Sequence, residues 1–530
     1  MGCAVASARE HSLDITTKSF AVPLLILMLA LSLPAVALAQ QRSGRPDGNP
    51  PQRAPQQEQQ RREAGPGVLR LLPSDSITEH SIDLPGGKPL TYTATAGTLA
   101  LYDPSGEQTA AVFYTAYVAT NIGDAPRPLT FGFNGGPGAA SAYLHLGLVG
   151  PKMLQFGGRN DAATAQLYAN PQTWLAFTDL VMIDPVGSGW SRAAKPDGNE
   201  AFRGVQRDAD VFAKVIALYI AKNGRSASPT YLLGESYGGF RAAKVARALL
   251  QDQGIAVSGI VMVSPMLEGA FQFGGDRFAL GAAFSLPALA AAELERTHSM
   301  SQEALADAER FAMTEYLVTL AGRPPQGEAA RTFYARVAQM TGMPEEEVAQ
   351  SRGFLRDHYV KHLRSAEGMV ASRYDGAFVM DDPFPESRGE RGPDPVLDGF
   401  TRAYAGAFVG YARDELGFRT DMTYVLVSGE TRGNWNWREG GRGEPSVSDD
   451  LRILLAFNPS FRLVIAHGYA DLVTPYMASR YVLDHLPPFT QPERAQLKLY
   501  PGGHMFYVSD EARQSFTTDM RAFFGARRGS

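Results

Sequence analysis

The sequence predicts an α/β fold with a mostly parallel central sheet, N-terminal antiparallel strands and a largely helical insertion. Thr- and aromatic-rich runs with alternating apolar positions extend to about residue 125, which is typical of an antiparallel meander. Shorter, continuous apolar runs then alternate with helical patterns, as buried parallel strands and their connecting helices do. The pattern becomes mainly helical after about residue 270 and returns to strand and helix near the C-terminus. A chain of 530 residues, 44% hydrophobic and 20% charged, is long enough for a large globular domain with such an insertion.

Two segments, residues 67–269 and 447–530, are predicted to form the α/β domain, and residues 270–446 a cap insertion. The continuous apolar runs predict buried strands at 128–134, 179–187, 230–234, 259–265, 461–469 and 495–501. Apolar positions at helical spacing predict helices at 204–223, 240–254, 475–486 and 510–525, and mostly helical structure over 284–366. Residues 370–446 are rich in Gly, Asp, Pro and aromatic residues, and no order of elements is predicted there.

The N-terminus is typical of an export signal followed by a low-complexity leader. Residues 1–39 are predicted to be a signal peptide, because an apolar core follows Lys18 and ends in the small-x-small pattern of residues 37–39. A permanent membrane anchor is the alternative, but no second apolar run of spanning length follows. Residues 40–66 are rich in Gln, Pro and Arg without an apolar period and are predicted to be disordered. We therefore expect an exported protein, periplasmic or extracellular, without stable membrane insertion after signal removal.

The net charge and the cysteine content limit which binding partners and which catalytic chemistry are expected. The formal net charge of −5 argues against nucleic acid as the main partner. The single cysteine, Cys3, lies in the predicted signal peptide, so the mature chain is expected to have no disulfide and no thiol nucleophile. Export without disulfides favours a bacterial periplasm or exterior. No zinc-binding spacing, H-E-x-x-H motif or phosphate loop is present, so neither a metal nor a cofactor is predicted. The sequence does not address the oligomeric state.

A candidate nucleophile stands where a predicted strand gives way to a predicted helix. The residues Gly234-Glu235-Ser236-Tyr237-Gly238 fit the G-x-S-x-G pattern in the strand–turn–helix context that this motif needs. Small flanking residues permit a sharp turn that exposes the serine hydroxyl, and the helix N-terminus behind it favours negative charge. A glycine-rich turn with an incidental serine is the alternative, and the context favours a nucleophile.

A serine hydroxyl is a weak nucleophile and needs a general base held by an orienting acid. In α/β hydrolases these partners follow in the order serine, acid, histidine. His504 follows a predicted strand and two glycines and is the predicted base, whereas His467 lies inside a strand and is predicted to be a core or edge histidine. Asp471 lies just past the end of the strand predicted at 461–469 and is the predicted acid.

A second glycine-rich turn can supply hydrogen-bond donors. Asn134-Gly135-Gly136-Pro137-Gly138 stands at the end of a predicted strand. Acyl transfer needs backbone N–H groups aimed at the developing oxyanion, and this turn can provide one while the amide of Tyr237 provides the other. An ordinary tight turn is the alternative.

Together these motifs resemble those of the serine carboxypeptidase family of α/β hydrolases. In family order they are "NGGPG" (134–138), "DPVGSGWS" (184–191), "GESYGG" (234–239), "GYADLVTP" (468–475) and "GGHM" (502–505), with a helical insertion in the family's place. The resemblance covers about residues 90–500 and implies an α/β-hydrolase fold. It implies Ser236 as nucleophile, His504 as base, Asp471 as orienting acid, and the amides of Gly136 and Tyr237 as the oxyanion hole. The absence of the family's disulfides is typical of a bacterial, exported branch.

The resemblance also implies a site for the C-terminal carboxylate of a peptide. Asn134 and Glu235 match the family's carboxylate-binding positions, and Gly135 and Met505 beside the catalytic motifs are assigned to substrate binding with them. A carboxylate can lie near Glu235 only when one of the two groups is protonated, which favours acidic pH. Two positions depart from the family pattern: Gly132 replaces its tryptophan and Leu148 replaces its second glutamate. The sequence therefore leaves the strictness of C-terminal specificity open.

The predicted function is that of an exported serine-type carboxypeptidase that releases C-terminal amino acids from peptides through an acyl-enzyme. The alternatives within enzymes are an esterase, an acyltransferase or a prolyl-type aminopeptidase. A non-catalytic binding protein on the same fold is the alternative outside enzymes, and the complete set of serine, aspartate, histidine and glycine motifs argues against it.

Overall fold

The computed structural model describes residues 66–525, apart from 88, 124, 158–160, 274–276, 440–442 and 489–490. The predicted signal peptide, residues 1–39, lies outside the described residues, as does the predicted leader up to residue 65. All described residues belong to the compact unit formed by residues 59–530. Across the described ranges, no helix combines the length and hydropathy needed to cross a membrane.

Strands form one large sheet and two small hairpins in the described part of the chain. They are β1 (Ser76–Ile82), β2 (Leu90–Tyr102), β3 (Gln108–Ala119), β4 (Leu129–Phe133), β5 (Lys152–Gly157), β6 (Asp161–Ala169), β7 (Asp179–Ile183), β8 (Arg192–Ala193), β9 (Thr230–Glu235), β10 (Gly259–Val263), β11 (Met369–Ala371), β12 (Val379–Asp381), β13 (Arg462–Gly468) and β14 (Ala495–Tyr500). The sheet has the order β1-β2-β3-β7-β4-β9-β10-β13-β14, with β8 pairing beside β3, while β5–β6 and β11–β12 form the two hairpins.

The sheet changes from antiparallel to parallel at β7. Strands β1, β2, β3 and β7 pair antiparallel, whereas β7, β4, β9, β10, β13 and β14 pair parallel. The central parallel strands β4, β9 and β10 are buried on both faces, which explains why their sequences are continuously apolar rather than alternating. Their carboxyl ends meet at one edge, which is where open α/β sheets place their sites. The predicted fold class, a mostly parallel sheet preceded by antiparallel strands, is confirmed.

Helices cover both faces of the sheet and fill the segment between β10 and β13. They are α1 (Ala142–Leu144), α2 (Val205–Lys222), α3 (Tyr237–Asp252), α4 (Gly269–Gln272), α5 (Ala279–Arg296), α6 (Gln302–Phe311), α7 (Leu317–Ala321), α8 (Gly327–Thr341), α9 (Glu345–Gln350), α10 (Arg356–His362), α11 (Leu397–Asp414), α12 (Gly429–Gly433), α13 (Ser448–Phe457), α14 (Tyr476–Asp484) and α15 (Asp510–Gly525). Helices α4 to α13 and the β11–β12 hairpin all lie between β10 and β13 in the chain.

Helix α11 is the largest element that the sequence interpretation did not predict. Phe400, Tyr404, Phe408 and Tyr411 are buried on one face of it, at spacings of four, four and three residues. This is the helical period, but it is carried by aromatic residues within a glycine-rich region, and both features masked the pattern. The four side chains join the core cluster that covers one face of the sheet.

A buried ion pair ties two helices to the turn after β4. The Arg241 guanidinium on α3 donates to Asp208 on α2, with 2.6 Å between Nε and Oδ2. It also donates to the carbonyl oxygen of Asn134 at 2.5 Å and lies over the Phe212 ring, 4.7 Å from its centroid. A buried charge is stable only when it is paired and hydrogen-bonded, so this network fixes the backbone of Asn134 relative to α3.

Candidate active site

Ser236 lies on a strained turn between β9 and α3. Its φ and ψ are 58° and −125°, a region that residues with side chains rarely adopt. Glycines permit the turn, because a Cβ atom at Gly234 would lie 2.0 Å from the Gly238 carbonyl oxygen, and one at Gly238 would lie 2.6 Å from the Phe133 carbonyl oxygen. The Ser236 N–H donates to the carbonyl oxygen of Val263 at 2.9 Å. The turn therefore holds Ser236 at the carboxyl ends of β4, β9 and β10.

His504 and Asp471 form a buried hydrogen-bonded pair at the same edge of the sheet. The distance from His504 Nδ1 to Asp471 Oδ2 is 2.9 Å. Asp471 Oδ1 accepts the backbone N–H groups of Val473 and Thr474 at 2.8 and 3.0 Å, and the Thr474 hydroxyl lies 2.7 Å from Oδ2. These donors fix the carboxylate, and the carboxylate in turn holds a proton on His504 Nδ1 and leaves Nε2 able to accept one.

The electrostatics of the pair suit a general base and its orienting acid. Burial alone would raise the pKa of Asp471, but the neighbouring His504 and His467 hold it well below its usual range. Burial alone would lower the pKa of His504, and the Asp471 carboxylate overcomes this and raises it. Asp471 therefore stays ionised and stabilises the imidazolium form of His504.

His467 is buried in β13, as expected for a core histidine, with Nε2 2.8 Å from the Ser479 hydroxyl. It lies nearer to the site than the sequence interpretation implied, because its Nδ1 is 3.9 Å from Asp471 Oδ2. Burial lowers the pKa of His467 in spite of this carboxylate, so burial favours the neutral form of this imidazole.

The loop that carries His504 is fixed by a segment from between β10 and β13. The His504 N–H donates to the carbonyl oxygen of Tyr374 at 2.6 Å, and the two rings lie 5.3 Å apart, edge to face. A Cβ atom at Gly503 would lie 2.1 Å from the same carbonyl oxygen, so only glycine permits this approach. The Ser264 hydroxyl donates to the His504 carbonyl oxygen at 2.8 Å. Sequence reasoning missed Tyr374, which lies far from His504 in the chain.

The glycine turn after β4 lies directly against the serine turn. A Cβ atom at Gly135 would lie 2.6 Å from the backbone nitrogen of Tyr237. Gly136 has a φ of 103° and lines the same cavity as Ser236. The Tyr237 side chain is buried away from that cavity against Trp435 and Trp437, at 5.3 and 5.4 Å between ring centroids. Only the backbone amide of Tyr237 is thus placed where it could serve the site.

One cavity contains most of the predicted site residues. Seven of the nine line it: Asn134, Gly135, Gly136, Glu235, Ser236, His504 and Met505. Asp471 lies behind His504, and Tyr237 lies behind the serine turn. The residues that sequence reasoning missed are Ala139, Tyr143, Tyr374, Leu397, Val427 and Arg432.

Glu235 is a buried acid beside the nucleophile. Its carboxyl accepts a hydrogen bond from the Tyr507 hydroxyl at 2.8 Å and one from the Asn134 side-chain amide. Asn134 is oriented in turn, since its Oδ1 accepts the N–H of Leu144 at 3.1 Å. Burial raises the pKa of Glu235 to about 7, although His504 and the two hydrogen bonds oppose the rise. Glu235 is therefore protonated in acidic solution and can donate as well as accept.

The two positions that depart from the family pattern do not line the cavity. Leu148 is fully buried in the apolar core. A Cβ atom at Gly132 would lie 2.8 Å from the sulfur of Met182, so the Met182 side chain occupies the space beside this glycine. Neither position supplies a polar group to a ligand in the cavity.

One group of potential metal ligands is present among the described residues, although the sequence predicted none. Glu347, His358 and His362 place one ligand atom each within 4.8 Å of one another. They belong to helices α9 and α10, and none of them lines the cavity of Ser236.

The sheet topology and the serine turn at its carboxyl edge are those of the α/β-hydrolase fold. The sequence profile of the family described as serine carboxypeptidase matches residues 85–314. Over this segment the chain is similar to the serine carboxypeptidases, which is the resemblance that the motifs predicted.

Individual curated proteins show the same similarity. Serine carboxypeptidase-like 36 of Arabidopsis thaliana is 26% identical over 208 residues, which cover 38% of this chain and 40% of that protein. The pheromone-processing carboxypeptidase KEX1 of Metarhizium robertsii is 30% identical over 141 residues, which cover 26% of this chain and 21% of that protein. The matched segments thus span less than half of these relatives.

A solved structure shares the fold. The crystal structure of Kex1Δp, a prohormone-processing carboxypeptidase from Saccharomyces cerevisiae, superposes with a TM-score of 0.51 at 14% sequence identity. The match covers 82% of this chain and 92% of that chain. It confirms the α/β-hydrolase fold.

Proposed function

We propose that the protein is an exported serine-type carboxypeptidase that releases C-terminal amino acids from peptides. The observation that carries the proposal is the shared cavity of Ser236 and His504, with His504 Nδ1 2.9 Å from the buried Asp471. A strained serine, an imidazole with its Nε2 free to accept a proton and a fixed carboxylate are the parts that serine acyl transfer needs.

The reaction proceeds through an acyl-enzyme. The Ser236 hydroxyl attacks the scissile carbonyl carbon while His504 Nε2 accepts its proton, and the oxyanion is stabilised by the N–H groups of Gly136 and Tyr237. The C–N bond then breaks, and His504 donates its proton to the leaving amino acid. Water, deprotonated by the same imidazole, attacks the ester, and Ser236 recovers its proton as the shortened peptide leaves.

Asn134 and Glu235 recognise the C-terminal carboxylate of the peptide, with Gly135 and Met505 beside them. Below about pH 7 Glu235 is protonated, and a protonated carboxyl and the Asn134 amide can both donate to a carboxylate. This arrangement binds a free C-terminus without two adjacent negative charges.

Residues 270–446 form a cap over the site, and residues 67–269 with 447–530 form the catalytic domain. Four of the cavity residues, Tyr374, Leu397, Val427 and Arg432, come from the proposed cap. A cap that contributes side chains to the cavity can select among substrates, as segments added to this kind of fold do. The N-terminal sequence supports export as a further part of the proposal.

The first experiment compares two N-blocked dipeptides, one with a free C-terminus and one amidated, over acidic to neutral pH. Release of the last amino acid from the free acid alone, read by mass spectrometry, is the expected result. Equal cleavage of both peptides would replace the proposal with a hydrolase that does not recognise the carboxylate. Turnover of esters or of free N-termini, but of neither blocked peptide, would favour an esterase or an aminopeptidase.

The pH dependence of KM is expected to report on Glu235. As the carboxyl ionises above about pH 7, it repels the substrate carboxylate, so KM for the free acid should rise about fivefold between pH 7 and pH 8. Glu235→Gln keeps the hydrogen-bonding shape but cannot ionise, and its KM should stay level over this interval. The measurement is KM of the free acid against pH for both proteins. The control is the inhibition constant of the amidated peptide, which carries no C-terminal charge and competes with the free acid for the site. A rise in KM that persists in Glu235→Gln would remove Glu235 from carboxylate recognition.

A further inference from the structure

Arg432 is a solvent-exposed cation that lines the cavity and has no acidic partner among the described residues. It belongs to the short helix α12 and lines the cavity together with Ser236 and His504. The acid nearest to it in sequence, Glu430, is engaged elsewhere, because its Oε1 lies 2.6 Å from the Arg203 guanidinium. A guanidinium stays charged at every physiological pH, so the cavity has a positive charge that these residues leave unbalanced.

The acids of the site do not balance this charge. Asp471 is buried behind His504 and paired with it. Glu235 is bonded to Tyr507 and Asn134 and is neutral below about pH 7. In acidic solution the cavity therefore presents the Arg432 guanidinium and the neutral donors of Asn134 and Glu235, which together suit an anionic group of a ligand.

We propose that Arg432 forms a carboxylate-binding subsite, in which its guanidinium binds a carboxylate of the peptide substrate. This inference rests on the proposed function. The planar guanidinium can donate two parallel N–H bonds to the two oxygens of one carboxylate. The carboxylate comes either from the free C-terminus or from an acidic side chain beside the scissile bond, and the same chemistry serves both.

Four peptides separate the two sources. An N-blocked dipeptide ending in alanine and its amide test the C-terminal carboxylate, and a pair with Glu or Gln before the scissile bond tests the acidic side chain. In Arg432→Gln, the peptide carboxylate that binds Arg432 loses its partner. For every peptide that carries this carboxylate, kcat/KM should fall about 10- to 100-fold. Arg432→Lys keeps the charge without the planar fork and should restore part of the loss. Arg438→Gln, an exposed arginine of the same segment outside the cavity, is the matched control.

A loss of kcat/KM for all three free acids, with an unchanged inhibition constant for the amide, assigns the C-terminal carboxylate. A loss confined to the Glu peptide assigns the side chain. An equal change for all four peptides, or none, would overturn the subsite.

A binding measurement tests the subsite independently of the proposed catalytic activity. Fluorescent forms of the same peptides are titrated into Ser236→Ala and into Ser236→Ala/Arg432→Gln, and anisotropy gives Kd without any turnover. A weaker Kd for the carboxylate peptides alone supports the subsite even if the wild-type protein cleaves none of them. Equal Kd values for the two proteins, or no binding of any peptide, would overturn it.

A second observation, independent of the first, concerns Glu347, His358 and His362. The two histidines lie four residues apart on α10 and so share one helix face, with 5.1 Å between ring centroids. His362 Nδ1 lies 3.1 Å from Glu347 Oε2 on α9. His358 Nδ1 is buried and has no hydrogen-bond partner among the described residues.

We infer that these three side chains bind a divalent ion of the Zn²⁺ class. Two imidazoles and a carboxylate are zinc ligands, and water can take the fourth position. Ligand atoms now within 4.8 Å must approach to about 3.4 Å for tetrahedral bonds of about 2.1 Å. The Glu347 and His362 side chains are each 23% exposed, so small rotations are open to them and an ion can enter from solvent.

Cobalt titration tests this site. The full chain, prepared without a polyhistidine tag and stripped with a chelator, is expected to develop visible Co²⁺ absorption that saturates at one equivalent and is displaced by Zn²⁺. His358→Ala/His362→Ala and Glu347→Gln should lose this band, while His298→Ala, an exposed histidine of the loop after α5, should keep it. No band at one equivalent, or a band that survives in the double variant, would overturn the site.

Discussion

Replacing Ser236 by alanine is expected to lower kcat/KM for peptide hydrolysis by a factor on the order of 10⁶. The hydroxyl is the only group in the proposed mechanism that forms a covalent bond to the substrate, and neither His504 nor the oxyanion donors can replace it. The residual rate should reflect binding and oxyanion stabilisation alone. The measurement is kcat/KM with the free-acid dipeptide, together with thermal melting of both proteins.

The fold should survive this substitution. The Ser236 backbone is held by the glycines around it and by the bond from its N–H to Val263, and alanine keeps both. The matched control is Ser285→Ala, which removes a buried hydroxyl of α5 that donates to its own helix and should leave kcat/KM unchanged. A Ser236→Ala protein that melts like the wild type and still cleaves the dipeptide within tenfold of the wild-type rate would exclude Ser236 as the nucleophile.

The parallel sheet could be predicted from the sequence because its central strands are buried on both faces and therefore consist of apolar runs. The run predicted at 230–234 corresponds to β9, Thr230–Glu235, and the helix predicted at 510–525 has those bounds. The turn of Ser236 could also be predicted from neighbouring residues, because the glycines and the G-x-S-x-G pattern lie within a few positions of the serine. Patterns among residues close in sequence therefore predicted most of the sheet and its connecting helices.

The rest of the cavity depends on contacts between distant segments. Tyr374 reaches the His504 backbone from 130 residues earlier in the chain, and Tyr507 reaches Glu235 from 272 residues later. Neither residue stands in a pattern that periodicity or spacing can detect. Thr474 is different, because it stands three residues after Asp471 and its N–H and hydroxyl both bond the carboxylate, so the Asp-x-x-Thr spacing was a local signal that could have been used.

The sequence leaves open how strictly the protein recognises a C-terminus, because Gly132 and Leu148 depart from the family pattern. The polar groups around the cavity bear on this question. Both positions lie outside the cavity, so the loss of the family residues there removes polar groups without opening space. The protonated Glu235, Asn134 and Arg432 remain as groups that can bind a carboxylate. Strict C-terminal specificity then depends on whether the C-terminus or an acidic side chain occupies Arg432, which the four-peptide comparison decides.

Asp471→Asn is expected to lower kcat/KM by about 10⁴-fold, although it changes only one atom of the side chain. Asparagine can keep Oδ1 as the acceptor for the N–H groups of Val473 and Thr474, which places its NH₂ group where Oδ2 faces His504. This NH₂ group donates to His504 Nδ1, so the imidazole proton moves to Nε2. An Nε2 that carries a proton cannot accept the one from Ser236, and the base is lost while the fold is kept.

The pH profile distinguishes this mechanism from a loss of folding. The Asp471 carboxylate raises the pKa of His504 against the effect of burial, and below that pKa the imidazole is protonated and inactive as a base. Without the carboxylate the pKa should fall, so the acid limb of kcat/KM in Asp471→Asn should move to lower pH while the maximum drops. Asp450→Asn, which alters an acid that pairs with Lys244 at 2.7 Å on α3, is the control and should keep the wild-type profile. A loss of less than tenfold in Asp471→Asn, or an unmoved acid limb, would show that Asp471 does not orient and charge-stabilise His504. Asp471 would then be excluded as the orienting acid.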